Sequence, residues 1–310
     1  MPADEFIFTP DRAKPLASRV VVEGARPVGD ESLYYVDVHV RRTTLLERLL
    51  PFTRPSGSTV VPEDALLPPG ISEEERTRQT AAEMQRSESI ASLVALRELG
   101  YEVDAEALGV LVVGVFTDAP AAEVLEDGDV LVAVDGVPVR TPAELRAEVT
   151  KRKPGDDVRL TVRRQGTERG LTVGTIATPG DPERPFIGIQ VDQAADIRLP
   201  IDVEIDLGRV GGPSAGLPFA LEISRLLGRD VTDGCRVAAT GELTFDGSVV
   251  SVGGIEQKTI GARRSDVDVF LVPAGENADE ARDHADEMRV VPVESFQHAL
   301  QYLTTTDPKC

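Results

Sequence analysis

The spacing of apolar side chains changes along the chain, and each change predicts a different element. Val110-Leu111-Val112-Val113-Gly114-Val115-Phe116 is an unbroken apolar run of strand length, which reads as a buried strand. Asp118 to Ala122 reads as a short turn or helix, and Glu126-Asp127-Gly128-Asp129 as a turn. Val130 to Val134 then runs into Asp135-Gly136, a dipeptide suited to the positive φ angles of a tight hairpin. Thr141-Pro142-Ala143-Glu144 combines a capping hydroxyl, a proline at the first helical position and a capping-box glutamate. It predicts a helix to about Arg152, stopped by Pro154-Gly155. Val158, Leu160 and Val162 alternate with Arg159, Thr161 and Arg163 as a half-buried strand, and Gln165-Gly166 turns into a last strand ending near Thr178.

Elsewhere the period is helical. Ser72-Glu73-Glu74-Glu75 is a capping box opening a long helix to about Leu99. Its first half is nearly all polar, whereas Ile90, Leu93, Val94 and Leu99 share a face, so the pattern predicts packing at one end and solvent at the other. Thr44 to Leu50 suggests a short amphipathic helix, and the proline-rich Val60 to Gly70 a linker or extended arm. Leu217 to Leu227 is apolar with helical spacing. Val237 to Leu243 and Val249 to Val252 flank a turn at Phe245 to Ser248, and Gly253-Gly254 opens a short helix through Arg264.

At 310 residues and 41 % apolar, the chain is globular and long enough for two or three modules. Its formal charge of −20 argues against a nucleic-acid partner, because phosphate backbones are held by clustered Lys and Arg. Cys235 and Cys310 support neither a disulfide framework nor a cysteine zinc site, and no metal is expected. No apolar run approaches a membrane span, the longest lying near Leu108 to Phe116, and the first residues lack a signal-peptide pattern. A Walker-type phosphate loop is absent, so no nucleotide or other cofactor is expected.

The chemistry concentrates in Gly211-Gly212-Pro213-Ser214-Ala215-Gly216, which sets a serine on a tight turn where a helix begins. Such a serine is a nucleophile if a base reaches it and a helix N-cap otherwise. His39, His284 and His298 form no triad motif, which leaves Lys258. On a helix its neighbours three and four residues away are Gly254, Ile255, Gly261 and Ala262, none charged, so the side chain points inward rather than lying on a solvated face. An ammonium of ordinary pKa about 10.4 cannot accept a proton, and lowering it to about 7 requires destabilising the charged form by roughly 4 to 5 kcal/mol. Full burial of a lysine supplies an effect of that size. A Ser-Lys pair is a recognised variant of nucleophile and base, with amides of the serine turn, Gly212 to Ala215, as an oxyanion hole.

Three motifs in order, Gly212-Pro213-Ser214-Ala215-Gly216, Thr240-Gly241-Glu242-Leu243-Thr244 and Gly253-Gly254-Ile255-Glu256-Gln257-Lys258, resemble the proteolytic domain of the Lon family of serine proteases (peptidase family S16), from roughly Phe186 onward. The resemblance implies a catalytic serine at Ser214, a general-base lysine at Lys258 and a threonine bonding within the dyad at Thr240, otherwise an ordinary β-branched strand residue. Lon proteases commonly carry an acidic residue where this chain has Gly211. The strand, Ala119-Pro120-Ala121, Gly128-Asp129-Val130-Leu131, Asp135-Gly136, helix and paired-strand order resembles a bacterial PDZ domain. Such domains take extended peptides onto a sheet edge. The family's carboxylate loop would fall near Leu99-Gly100-Tyr101-Glu102, and its groove between that segment and the helix after Pro142. Gly100 is equally explained as a helix C-cap.

The expected fold is therefore a mixed α+β multidomain chain, a PDZ-like β-rich domain followed by a Lon-type α/β proteolytic domain. The expected boundaries are an N-terminal region at 1–86, the PDZ-like domain at 87–178, a linker at 179–185 and the proteolytic domain at 186–306. This order resembles the Gram-positive and actinobacterial PDZ-containing Lon-like proteases without an ATPase, whose members typically begin with a transmembrane helix holding the rest outside the cytoplasm. The sequence opens at Met1-Pro2-Ala3 without one, so either an anchor lies upstream or this member is soluble. The primary reading is an ATP-independent serine endopeptidase acting on protein or peptide substrates, with a homo-oligomeric ring implied by the resemblance. The alternatives are a PDZ scaffold with an inactive protease fold, and a self-processing protein using the same dyad.

Overall fold

The computed structural model describes residues 5–25, 31–66, 73–178, 181–208, 210–229, 231–232 and 234–305. The chain begins with strands β1 (Glu5–Pro10), β2 (Lys14–Pro15), β3 (Val20–Val22), β4 (Leu33–Tyr35) and β5 (Val38–Arg42). Helix α1 (Leu45–Leu49), β6 (Thr59–Pro62), α2 (Glu63–Leu66) and α3 (Glu73–Glu98) follow. Then come β7 (Asp104–Val115), β8 (Val130–Val134), β9 (Val137–Pro138), α4 (Pro142–Val149), β10 (Asp157–Arg164), β11 (Thr167–Gly174), β12 (Ile176–Thr178), β13 (Asp181–Phe186) and β14 (Ile189–Arg198). Last are β15 (Val203–Ile205), α5 (Gly216–Leu226), β16 (Val237–Ala239), β17 (Glu242–Leu243), β18 (Val249–Val250), α6 (Ile255–Arg263), β19 (Val269–Pro273), α7 (Glu276–His284), β20 (Arg289–Val293) and α8 (Phe296–Thr305).

These elements form two compact units. One comprises 1–67, 72–103 and 199–310, the other 68–71 and 104–198. The sequence placed breaks at 87 and 178 instead, and treated 1–86 as a region apart. The difference has a physical cause. The short apolar strand β4 is too small to bury itself, and it pairs in parallel with β16, Leu33 opposite Val237 and Tyr35 opposite Ala239. The first unit is built on the sheet order β2-β4-β16-β19-β20, in which β4, β16, β19 and β20 run parallel. Every residue of β16 and β19 is buried, as expected of parallel strands covered on both faces. Helix α5 is buried along its whole length, and its charges Glu222 and Arg225 are ion-paired there at 2.8 Å.

Two other expectations change in this unit. Part of the stretch read as a linker, Val60 to Pro62, belongs to strand β6, which pairs with β1. The polar half of α3 is engaged rather than solvated: Met84 and Ser87 are buried, and α3 packs on α5. Its proposed cap Ser72 lies outside the described residues. Cys235 is disulfide-bonded, where the sequence supported no disulfide framework, and the sequence's other cysteine, Cys310, is outside the described residues.

The second unit is an antiparallel sheet in the order β11-β10-β8-β7-β14, with α4 supplying Leu145 and Val149 to its core. The expected hairpins form with both turn residues at positive φ: Asp135 and Gly136 at 48° and 81°, Gln165 and Gly166 at 49° and 79°. The capping box at Thr141 and Glu144 closes as expected. The expected linker is instead partly strand, β13 pairing with β12 as a hairpin.

Candidate active site

The serine turn begins at Gly212, whose φ of 90° lies where an L side chain is strained. Pro213-Ser214-Ala215 forms one 3-10 turn leading into α5. This turn is clamped from two sides. From α3, the Thr80 carbonyl accepts the Gly212 N–H at 2.9 Å, and Ser87 Oγ donates to the Pro213 carbonyl at 2.9 Å. From the end of β16, the Gly241 N–H and Thr240 Oγ1 both donate to the Ser214 carbonyl, at 2.9 and 3.2 Å. The closeness of α3 accounts for Gly211, since a Cβ there would lie 2.9 Å from Thr80 Oγ1 and 3.0 Å from Thr80 Cβ. An acidic side chain at this position would compete with the helix for the same space.

Ser214 is half-buried and its hydroxyl has no hydrogen-bond partner among the described residues. It lines a cavity of about 640 Å3 together with Lys258. Gly212 loses one expected role, because its N–H is committed to Thr80 and is not free to bind an oxyanion. Among the described residues the Ser214 N–H has no partner, as the first amide after the proline of a 3-10 turn. Ala215 is buried behind the serine.

Lys258 arrives from the opposite wall. Gly254 at φ 71° caps α6, and Ile255 and Ala262 anchor the helix in the core around Phe270. That fixes Lys258 inward, 4 % exposed, with its Nζ donating to Thr240 Oγ1 at 3.2 Å. Thr240 therefore bridges the amine to the backbone of Ser214, receiving one hydrogen bond and giving the other. Burial pulls the Lys258 pKa from 10.5 down to about 8, and the Asp37 carboxylate works against that shift. Asp37 follows β4 at the carboxyl end of the parallel sheet and is ion-paired to Lys14 at 2.9 Å, which in turn holds Asp11 at 2.9 Å. A base at this position works only as the neutral amine, so if Lys258 serves Ser214 as its base, kcat/KM is expected to rise with pH about a midpoint near 8. Asp37→Asn removes the opposing charge and should move that midpoint lower, whereas an unchanged or raised midpoint between pH 6 and 10 would exclude Asp37 from the site's electrostatics.

Leu99, Gly100 and Tyr101 do not form the expected carboxylate loop. Gly100, at φ 86°, and Tyr101 donate their N–H groups to the carbonyls of Arg97 and Leu96 at 3.0 Å each, and Leu99 donates to Ala95 at 3.1 Å. This is a Schellman C-cap of α3, and it uses the amides a peptide carboxylate would need. Of the two edge strands of the second unit, β11 and β14, it is β14 against which α4 packs. Gln193 on β14 is buried and donates to the carbonyls of Gly109 and Arg140 at 3.1 and 2.8 Å. The sequence located helix α4 but not the strand β14 that packs against it. Asp37, Thr80 and Ser87 escaped notice too, although the apolar run Leu33 to Val36 signals the strand that delivers Asp37.

Residues 97–175 match the PDZ domain, and residues 191–305 match the Lon protease (S16) C-terminal proteolytic domain. The chain carries a PDZ domain and a Lon-type proteolytic domain. Among curated proteins, Lon protease 1 of Sorangium cellulosum is 39 % identical over 85 residues, 26 % of this chain and 10 % of that protein. The Lon protease of Paraburkholderia phytofirmans is 37 % identical over 108 residues, 33 % of this chain and 13 % of that one. The matched part is thus about a tenth of the length of such relatives. A crystal structure of the PDZ domain of an SdrC-like protein from Listeria monocytogenes is 29 % identical, covering 27 % of this chain and 86 % of that one at a TM-score of 0.26. The Lon-type match supports a serine peptidase and takes in Ser214, Thr240 and Lys258.

Proposed function

We propose that the chain is a serine endopeptidase with Ser214 as nucleophile and Lys258 as general base, needing no nucleotide. The observation that carries this is a buried lysine tied through Thr240 to the backbone of the serine, both lining one cavity. The neutral Lys258 amine takes the Ser214 Oγ proton as the oxygen attacks the peptide carbonyl carbon. The Ser214 N–H faces the developing oxyanion. Lys258, now an ammonium, returns the proton to the departing amine, and the C–N bond breaks to leave an acyl-serine. Water, deprotonated by Lys258, then attacks the ester carbon, releasing the acid and restoring the hydroxyl. At rest the Lys258 amine bonds Thr240 Oγ1, and the serine hydroxyl and the lysine amine are not hydrogen-bonded to one another. That resting separation is also what favours the second reading, a PDZ scaffold with an inactive or self-processing protease fold.

The PDZ unit would choose protein substrates by adding a peptide strand to the free edge of β14 beside α4. The disulfide at Cys235 fits an oxidising, extracytoplasmic setting. Attachment of a bacterial protein to the cell membrane and assembly as a homo-oligomer are proposed on the family resemblance alone. Among the described residues no helix is long and apolar enough to cross a membrane. A fluorophosphonate probe should label the wild type and not Ser214→Ala, and only the wild type should cleave an unfolded protein, with or without ATP or a chelator. Equal cleavage by both forms would remove the dyad, and labelling of neither would favour the scaffold.

A further inference from the structure

The short helix α1 that follows β5 is inside out. Of its five residues only Glu47 is buried, while Leu45, Leu46 and Leu49 face solvent, as do Leu50 and Phe52 just after it. Leu49 is 76 % exposed and Phe52 82 %. A helix on a globular surface ordinarily turns its apolar residues inward and its charges outward. Here the hydrogen bonds enforce the reverse. Arg41 Nη1 donates to Glu47 Oε2 at 2.9 Å, and the Thr44 N–H and hydroxyl donate to the same oxygen at 2.9 Å each. The Arg54 Nε–H donates to the Glu47 carbonyl at 2.9 Å, closing the far side. Hydrogen bonding from Arg41 holds the Glu47 carboxyl well below the usual carboxylate range, so it is ionised and satisfied where it lies. The leucines are therefore displayed on a braced tip.

Single exposed apolar side chains are ordinary, but a cluster of them marks an interaction surface. Among the described residues, five of the twelve exposed large hydrophobic side chains fall within the eight residues from Leu45 to Phe52. Charge is as unevenly placed. Arg41 to Arg54 holds four arginines and one glutamate, a formal +3 in a chain of −20. Arg48 is exposed, and among the described residues neither it nor Arg54 is ion-paired. Two tips meeting in a dimer would bring these cations together. An acidic protein surface suits the cations alone, and an apolar hollow suits the leucines alone. The headgroup boundary of an anionic bilayer takes both, since acyl chains receive leucine and phenylalanine while phosphate groups pair with guanidinium.

We propose that the tip from Arg41 to Arg54 is a lipid-docking site, which lays its leucines and Phe52 into the surface of an anionic membrane and sets Arg48 and Arg54 on the headgroups. The tip lies on the bilayer and does not span it. The acidity of the rest of the chain, repelled by the same lipid, orients the protein tip first. This inference stands apart from the Ser-Lys reading and from any anchor elsewhere in the protein. β5 leads from Val38 on the wall of the catalytic cavity to Arg42 at the base of the tip, four residues or about 13 Å, so docked lipid stands off from the cavity.

The test uses the whole chain and vesicles of phosphatidylcholine, either alone or mixed with an equal part of phosphatidylglycerol, read by co-sedimentation. Wild type should bind the mixed vesicles, bind neutral ones at least about 10-fold more weakly, and lose affinity as salt is raised. Joint replacement Leu49→Ser and Phe52→Ser should weaken binding to the mixed vesicles at least about 10-fold, because two apolar side chains no longer enter the lipid. Both are exposed, so Tm should not fall. Arg48→Gln should cost about 5-fold on mixed vesicles and nothing on neutral ones. Fluorophosphonate labelling of Ser214 should be the same in every form, so a failure to label counts against the dyad and leaves the tip untouched. A wild type that ignores both kinds of vesicle overturns the proposal, and so does binding that the double replacement leaves intact. Equal binding to both lipids overturns the anionic assignment. Self-association of the wild type without lipid, abolished by the double replacement and accompanied by no vesicle binding, would make the tip a contact between copies instead.

Discussion

Replacing Lys258 with methionine is expected to abolish cleavage and yet make the protein more stable at neutral pH. The loss of activity should be roughly 10^4-fold or more, as for removal of the base from other nucleophile-base pairs. The gain in stability follows from where the amine sits. At pH 7 it is buried and largely charged, and the fall of its pKa from 10.5 to about 8 corresponds to about 3 kcal/mol of destabilisation. Methionine fills similar volume without the charge and forgoes the hydrogen bond to Thr240, worth about 1 kcal/mol, leaving a net gain of about 2 kcal/mol. In a unit of this size that is a rise in Tm of roughly 4 to 8 °C. The sign with pH is fixed. The folded pKa lies below the unfolded one, so between about 8 and 10.5 the unfolded chain binds more protons and the wild type gains stability as pH rises. The advantage of Lys258→Met should therefore shrink across that window and vanish above it. Melting curves of both proteins from pH 6 to 11 check this, and a variant less stable than wild type at pH 7 would mean that the ammonium is well satisfied where it lies.

Gly261→Ala should lower stability by about 3 kcal/mol, a fall in Tm of roughly 6 to 12 °C, although alanine is ordinarily the better helix former by about 1 kcal/mol. The position faces the N-terminal segment so closely that a Cβ would overlap the Asp11 carbonyl oxygen, which is backbone and cannot rotate aside. One turn further, Ser265 Oγ accepts the Ala13 N–H at 2.9 Å and donates to the Gly261 carbonyl at 3.0 Å, so segment and helix are locked together there. Pushing them apart moves α6, and with it Lys258, relative to β4 and Asp37. Activity should fall along with Tm. Gly170→Ala on β11, where a Cβ would meet nothing within 4 Å, serves as the control and should leave Tm nearly unchanged. Equal melting temperatures for wild type and Gly261→Ala would show that the docking of the N-terminal segment on α6 is looser than described.

Both results bear on a chain whose first residues read as separate from its catalytic part. Leu33-Tyr34-Tyr35 is a short apolar run without a flanking motif, and its partner Val237-Ala238-Ala239 lies some two hundred residues on. Parallel pairing leaves no turn signature between its strands, because the connection is long. The same limit hid Thr80 and Ser87, whose polar side of α3 resembles a solvated face until the serine turn is brought against it. Gly100 shows the converse error. Its motif was visible, but whether it caps a helix or opens a carboxylate loop depends on where the amides of residues 99 to 101 point.

What the residues alone determined is the set of features whose physics is local. A proline and a threonine that start α4, dipeptides that tolerate positive φ, a glycine turn that lifts Ser214 onto a helix end and a helical spacing that turns Lys258 inward all act within a few residues. Tertiary structure decided the rest: that Lys258 meets Thr240, that Asp37 lies near enough to act on it, that α3 holds the serine turn and that β14 is the edge strand of the PDZ unit beside α4. Those depend on segments distant in sequence becoming neighbours, and the free energy that brings them together, burial of the parallel sheet and of α5, is a property of the assembled core rather than of any one stretch of chain.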